Sequence, residues 1–193
     1  MNTIVISGPE SSGKSTLAEQ LGRRLRWPVV TEAARDYLRH QATYAPSDLR
    51  QIAMLQVQHE MQALQSGHSV VADTDLQVIR IWWQYRYGPL PLWLIQLSQQ
   101  QLSQPALTLQ QGHATNPGNP SRLRHYLICQ PDLPWQPDPL RENPVNRDEL
   151  FQLYLADAQA WRLSYSLIQG KHEARLQHAL QQVQNVIPAS SSC

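Results

Sequence analysis

Thr3–Ala18, TIVISGPESSGKSTLA, is the stretch on which the reading of this chain rests. Its opening residues, Thr3-Ile4-Val5-Ile6, form a β-branched, apolar run without alternation, the pattern of a strand buried on both faces of a parallel sheet. Gly8-Pro9-Glu10-Ser11-Ser12-Gly13-Lys14-Ser15 then matches G-x-x-x-x-G-K-[ST] in full, and Leu17, Leu21 and Leu25 repeat behind it at helical spacing. Strand, glycine-bearing loop and helix in that order are the context a phosphate-binding loop requires. Gly8 and Gly13 allow backbone angles and a close approach that a Cβ would block. The loop amides and the helix N-terminus present their positive ends to phosphate. Lys14 supplies a point charge for the β- and γ-phosphates, and the Ser15 hydroxyl is placed to ligate Mg²⁺. Glu10, Ser11, Ser12 and Thr16 complete the set expected around ATP. The stretch predicts a nucleoside-triphosphate site.

Downstream, strands alternate with helices. Trp27–Thr31 reads as a second strand, ending at Glu32, and a short helix carries Ala33, Ala34, Tyr37 and Leu38 on one face. Ser47 is the expected N-cap of a long amphipathic helix that stops at Gly67. Ser69–Asp73 is a third strand ending in an acid, followed by a helix to Gly88-Pro89 and a further helical segment over Leu90–Leu102. Residues 103–121 lack periodicity and read as a loop. Tyr126–Cys129 is the fourth strand. It leads into Pro131–Arg147, PDLPWQPDPLRENPVNR, whose five prolines and length suggest a lid or binding loop. A helix from Asp148, a fifth strand at Tyr165–Ile168 and a helix over Glu173–Val186 close the pattern, with residues 188–193 expected to fray. Such alternation predicts one parallel sheet covered by helices on both faces, in one domain over residues 1–187.

Composition narrows the classes of function. The 193 residues carry 16 basic and 15 acidic side chains, a formal net charge of +1, so no basic field argues for nucleic acid or a membrane surface. No apolar run approaches membrane-spanning length. The chain enters its first strand at once, leaving no room for a signal peptide, and Cys129 and Cys193 are expected as reduced thiols in the cytoplasm. The seven histidines show no ligand-type spacing, which argues against a zinc site.

Acids at strand ends lie where ligands bind in such a fold. Asp73 has the position of the residue that holds Mg²⁺, directly or through water. Asp75 suits either the acceptor side or an N-cap. Glu32 ends a strand placed, on this reading, beside the first. It could accept a proton from an acceptor hydroxyl or bind a ribose, with Arg35 one turn later facing the same cleft. In the lid, Arg141 is the better candidate, over Arg147, to neutralise charge on a transferred phosphoryl group. Trp135 could stack on a base or anchor the loop.

GPESSGKSTLA at Gly8–Ala18, TEAARDYL at Thr31–Leu38, ADTD at Ala72–Asp75 with its Trp-rich helix, and above all PDLPWQPDPLREN at Pro131–Asn143 resemble the ribosylnicotinamide kinase domain of the NadR type, an AAA-like group of small P-loop kinases. The resemblance implies a three-layer α/β/α, nucleoside-kinase-like fold with five parallel strands and a lid over about 131–147. It implies transfer of the ATP γ-phosphate, with Mg²⁺, to the 5′-hydroxyl of nicotinamide riboside. Lys14 and Ser15 would bind phosphate and metal, Glu32, Arg35, Asp73 and Asp75 would line the acceptor side, and Arg141 would be the lid arginine. Pro139 stands where family lids often have glycine. Further domains of bifunctional members find no room in 193 residues, so a stand-alone kinase is expected, compatible with a homo-oligomer. An ATP-dependent regulatory or interaction protein, and a kinase for another nucleoside, are the alternative readings.

Overall fold

In the computed structural model, residues 1–41, 43–103, 123–136 and 146–187 are described. Five strands form one parallel sheet: β1 (Thr3–Ser7), β2 (Val29–Val30), β3 (Val70–Asp73), β4 (Arg124–Cys129) and β5 (Tyr165–Ile168). Their spatial order is β2-β3-β1-β4-β5. Every residue of β1 is buried, as expected of a central strand flanked by β3 and β4. The second strand is only two residues long and pairs with β3 rather than with β1. The expectation that Glu32 ends the strand beside the first is therefore corrected. Order across a sheet is set by how crossovers pack, which local patterning does not encode.

Strand alternation sends side chains to two cores. On one face Val5, Val70, Ala72, Tyr126 and Ile128 meet α4 (Leu76–Tyr87) and α6 (Arg147–Ala160) through Val78, Ile81, Leu150, Phe151 and Tyr154. On the other Ile4, Ile6, Val71, Leu127 and Ile168 meet α1 (Lys14–Leu25) and α7 (His172–Val186) through Leu17, Leu21, Ala179 and Val183. A third cluster joins α2 (Ala33–Tyr37), α3 (Pro46–Gln65), α4 and α5 (Leu92–Ser103) around Leu49, Ile52, Ile79 and Leu94. No described helix is long and apolar enough to cross a membrane.

The α3 start differs from the expected Ser47 cap. Ala45 is the N-cap and Pro46 opens the helix. Proline is preset for that position and lacks only an amide that would be unpaired anyway. Asp48 accepts the Ala45 amide at 2.7 Å. The expected loop over 103–121 and the lid over 131–147 fall largely outside the described residues, which resume at 123–136 and 146.

Candidate active site

The phosphate-binding loop joins β1 to α1 and crosses the end of β4. Gly8 has φ of 130°, and a Cβ there would stand 2.6 Å from the Cys129 carbonyl oxygen. Gly13 has φ of 76°, and a Cβ would meet Leu133 Cδ1 at 2.7 Å. At Gly8 the clash is with backbone that cannot yield, while at Gly13 the Leu133 side chain can move and the left-handed φ is what favours glycine. Ser11 is also left-handed, at φ 53°, and such alternation turns loop amides towards a common concavity. The Ser12 hydroxyl and Lys14 Nζ both donate to the Pro9 carbonyl, at 2.8 and 2.9 Å, which keeps the ammonium over the loop.

Two acids converge on this loop from neighbouring strands. Asp73, 5 % exposed at the end of β3, lies beside the Ser15 hydroxyl and in the field of Lys14. Burial pushes its carboxyl above the usual range, while Ser15 and Lys14 pull it back. Its Oδ1 is buried and accepts no hydrogen bond among the described residues. A free, buried carboxylate oxygen beside a serine hydroxyl is a donor set that suits Mg²⁺, a hard cation that takes one or two protein oxygens together with phosphate. Glu32, just past β2, has a side chain only 12 % exposed and accepts from Arg35 Nε at 2.9 Å. Burial raises its pKa most; Lys14 opposes, the Asp73 charge adds to the rise, and Arg35 opposes again.

Gln56 of α3 spaces these acids. Its side-chain oxygen accepts the Ala33 amide at 2.8 Å and its nitrogen donates to the Thr74 carbonyl at 3.3 Å, so one buried amide holds the residue after each acid. Thr74 itself is left-handed, at φ 74°, and the carboxylates on either side of it part company. Asp73 turns to Ser15. Asp75 caps α4 by accepting the Gln77 amide at 2.8 Å and takes Tyr126 Oη at 2.6 Å and Arg124 Nη1 at 3.0 Å. The acceptor-side role expected of Asp75 is thus corrected: its oxygens are spent beneath the helix, and it does not line the cavity.

That cavity, of about 810 Å³, opens along the carboxyl edge of the sheet. Glu10, Ser11, Ser12, Gly13, Lys14, Ser15 and Thr16 line its middle. Glu32 and Arg35 line one end with Val78, Trp82 and Tyr154, and Lys171, His172 and Glu173 border it after β5. Leu133, Pro134 and Gln136 of the turn after β4 also line it, but Trp135 between them does not, which corrects its expected stacking on a base and leaves the other expectation, that it anchors the loop, standing. The Ser11 hydroxyl donates to the Gln136 carbonyl at 3.2 Å, tying that turn to the loop. Arg141 lies outside the described residues. Tyr154 and Arg175 were not anticipated. Each continues an apolar helical stripe, Tyr154 from Leu150 and Arg175 towards Ala179, and an arginine on such a stripe was the available signal.

With this geometry in view, comparisons with known proteins agree on the fold. The chain superposes on NadR protein in complex with NR with a TM-score of 0.67 at 18 % identity, and on NadR protein in complex with NAD and AMP-PNP with a TM-score of 0.66 at 18 %. In both cases 100 % of this chain covers 51 % of the other, so it spans about half the length of those structures. Thymidylate kinase from Ehrlichia chaffeensis gives a TM-score of 0.58 at 15 % identity, over 96 % of this chain and 97 % of that one. These place the fold among P-loop nucleoside and nucleotide kinases, the NadR likeness included. No curated protein matches in sequence. An AAA domain profile matches residues 3–175, nearly all of the chain, which therefore belongs to that AAA domain family.

Proposed function

We propose that this chain is an ATP-dependent kinase that phosphorylates a nucleoside 5′-hydroxyl, with nicotinamide riboside as its acceptor. The observation that carries the reading is a pair of withdrawn acids at the phosphate loop: Glu32 lines the cavity with Ser15 and Lys14, and Asp73, not itself in that lining, shares the field of Lys14 and neighbours Glu32. A simple nucleotide switch needs the loop and a metal ligand but has no use for a second buried carboxylate flanked by an arginine. The fold likeness to NadR protein in complex with NR supports the acceptor.

In this reading Lys14 and the loop amides hold the ATP phosphates, and Ser15 and Asp73 would hold Mg²⁺, which would supply charge neutralisation at the transferred group. Glu32 accepts the proton of the acceptor hydroxyl. Its raised pKa brings it nearer neutrality, where a base is most effective. Arg35 orients the Glu32 carboxylate through their 2.9 Å contact. Val78, Trp82 and Tyr154 supply apolar and aromatic surface for a base ring. The reading extends to a single kinase domain over residues 1–187 acting in the cytoplasm, with Arg141 as its lid arginine.

The test is a coupled ADP-release assay with Mg·ATP against nicotinamide riboside and a panel of ordinary nucleosides, products identified by mass and Lys14→Ala as the blank. Turnover confined to nicotinamide riboside and absent in the blank is the expected result. Turnover with a different nucleoside would replace the acceptor. ADP release at one slow rate whatever the acceptor would overturn the kinase reading in favour of a nucleotide-dependent interaction protein.

A further inference from the structure

Arg175 stands on the first turn of α7, 4 % exposed, and reaches three other segments. Its Nη1 donates to the Ser12 carbonyl at 2.8 Å, inside the phosphate-binding loop. Nη2 donates to the Gln130 carbonyl at 3.4 Å, just past β4, and to Asp132 Oδ1. Nε donates to the Gly170 carbonyl at 2.7 Å, just past β5. Asp132 closes the ring by accepting the Gly170 amide on Oδ2 at 2.6 Å. The Cys129 thiol faces the same guanidinium. A guanidinium has five N–H groups in a fixed fork, and four of them go to these oxygens. Although Arg175 borders the cavity, it is not arranged to be a ligand.

Its consequence for a ligand runs through Ser12. In a planar trans peptide the carbonyl and the next amide point in opposite directions. Fixing the Ser12 oxygen towards α7 therefore turns the Gly13 amide away from α7. Glycine imposes little of its own backbone preference, so an external hold decides how that peptide lies. A charged donor on the carbonyl also polarises the peptide and strengthens its N–H as a donor. Asp132, in turn, balances a guanidinium that would otherwise be costly to bury.

We propose that Arg175, held by Asp132, is a positioning residue for phosphate recognition: it fixes the Ser12–Gly13 peptide so that the Gly13 amide meets the nucleotide's phosphates. The proposal rests on the nucleotide-binding reading above. It is tested by titrating the full chain with Mg·ATP and with magnesium tripolyphosphate, in wild type, Arg175→Lys, Asp132→Asn and Lys14→Ala. Lysine cannot reproduce the fork, so Arg175→Lys should weaken both ligands by one common factor, roughly tenfold or more. Asp132→Asn should show the same pattern at a smaller factor, and decides the matter if Arg175→Lys does not fold. Loss of ATP binding with tripolyphosphate binding intact would overturn the proposal, because it would place the effect at the β5–α7 turn. Unchanged binding of both ligands in the two variants, with Lys14→Ala losing both, would overturn this proposal alone. If wild type bound neither ligand, or Lys14→Ala bound both as wild type does, the nucleotide reading would fall and take the proposal with it.

Discussion

The Glu32 carboxylate carries Arg35 on one oxygen, has Asp73 as a neighbouring charge and is largely withdrawn from solvent. Ionising it in the fold is therefore harder than ionising it in the unfolded chain. The acid limb of the kcat/KM profile should accordingly lie above the ordinary glutamate value of 4.5, since that limb reports the free enzyme's base. Glu32→Gln should lower kcat by about 10²–10⁴-fold with ATP binding retained, and should remove that limb. The stability sign is the opposite of the activity sign. A folded pKa raised above the unfolded one favours the fold most below the unfolded value, and that advantage is lost as pH rises through the folded value. At neutral pH Glu32→Gln should thus unfold no earlier than wild type in a thermal scan. A variant that turned over at wild-type rate would remove Glu32 from the chemistry. Glu32 was legible because an acid closing an apolar strand breaks the pattern around it. Asp75 gave the same kind of signal and left the acceptor side and an N-cap both open; the N-cap is what forms, and only the left-handed Thr74 reveals which carboxylate turns inward.

At the scale of elements, the end of the cavity proposed for the acceptor depends on how α4 and α6 are joined, since they carry Val78, Trp82 and Tyr154. Arg80 of α4 and Asp157 of α6 pair in two contacts, Nε to Oδ1 at 2.9 Å and Nη2 to Oδ2 at 2.7 Å, with both side chains buried. Arg80 also donates to Ser98 Oγ at 3.2 Å and lies 4.4 Å from the Trp161 ring centroid, so it reaches α5 as well. Removing one partner strands the other's charge in the core. Arg80→Ala should cost about 3–5 kcal/mol in urea unfolding, whereas Arg80→Met with Asp157→Leu should recover most of that loss. The double variant should nevertheless raise the acceptor KM, because apolar packing does not fix helix register as a two-point ion pair does. Wild-type stability in Arg80→Ala would show that the pair contributes nothing. The helices themselves were legible from their apolar spacing. Their buried charges were not, because Arg80 falls on the stripe of Leu76 and Asp157 on that of Leu150 and Tyr154, and no local pattern says which partner a buried charge finds across 77 residues.

Across the whole molecule, the parallel sheet brings every strand's carboxyl end to one edge: the loop after β1, Glu32 after β2, Asp73 closing β3, Asp132 after β4 and Gly170 after β5. Ligands bind at such an edge as a consequence of topology. The five strands could be read from apolar runs, and the phosphate loop from its spacing. That β2 lies outside β3, and that α7 reaches back to the loop through Arg175, depends on contacts far apart in sequence. A site assembled from all five strand ends exists only in the folded chain, so its ligand should stabilise the fold as a whole. At a hundred times its Kd, Mg·ATP would add about 2.7 kcal/mol, equivalent to a rise of roughly 5–10 °C in Tm for a domain of this size. If Asp73 and Ser15 hold Mg²⁺ as proposed, the rise should shrink when EDTA removes it, because two buried acids then oppose the triphosphate's charge without a cation between. Lys14→Ala should show little rise in either condition. An equal rise with and without Mg²⁺ would mean that the free Asp73 Oδ1 has no part in binding metal, and would leave Lys14 and the loop amides as the whole of the phosphate site.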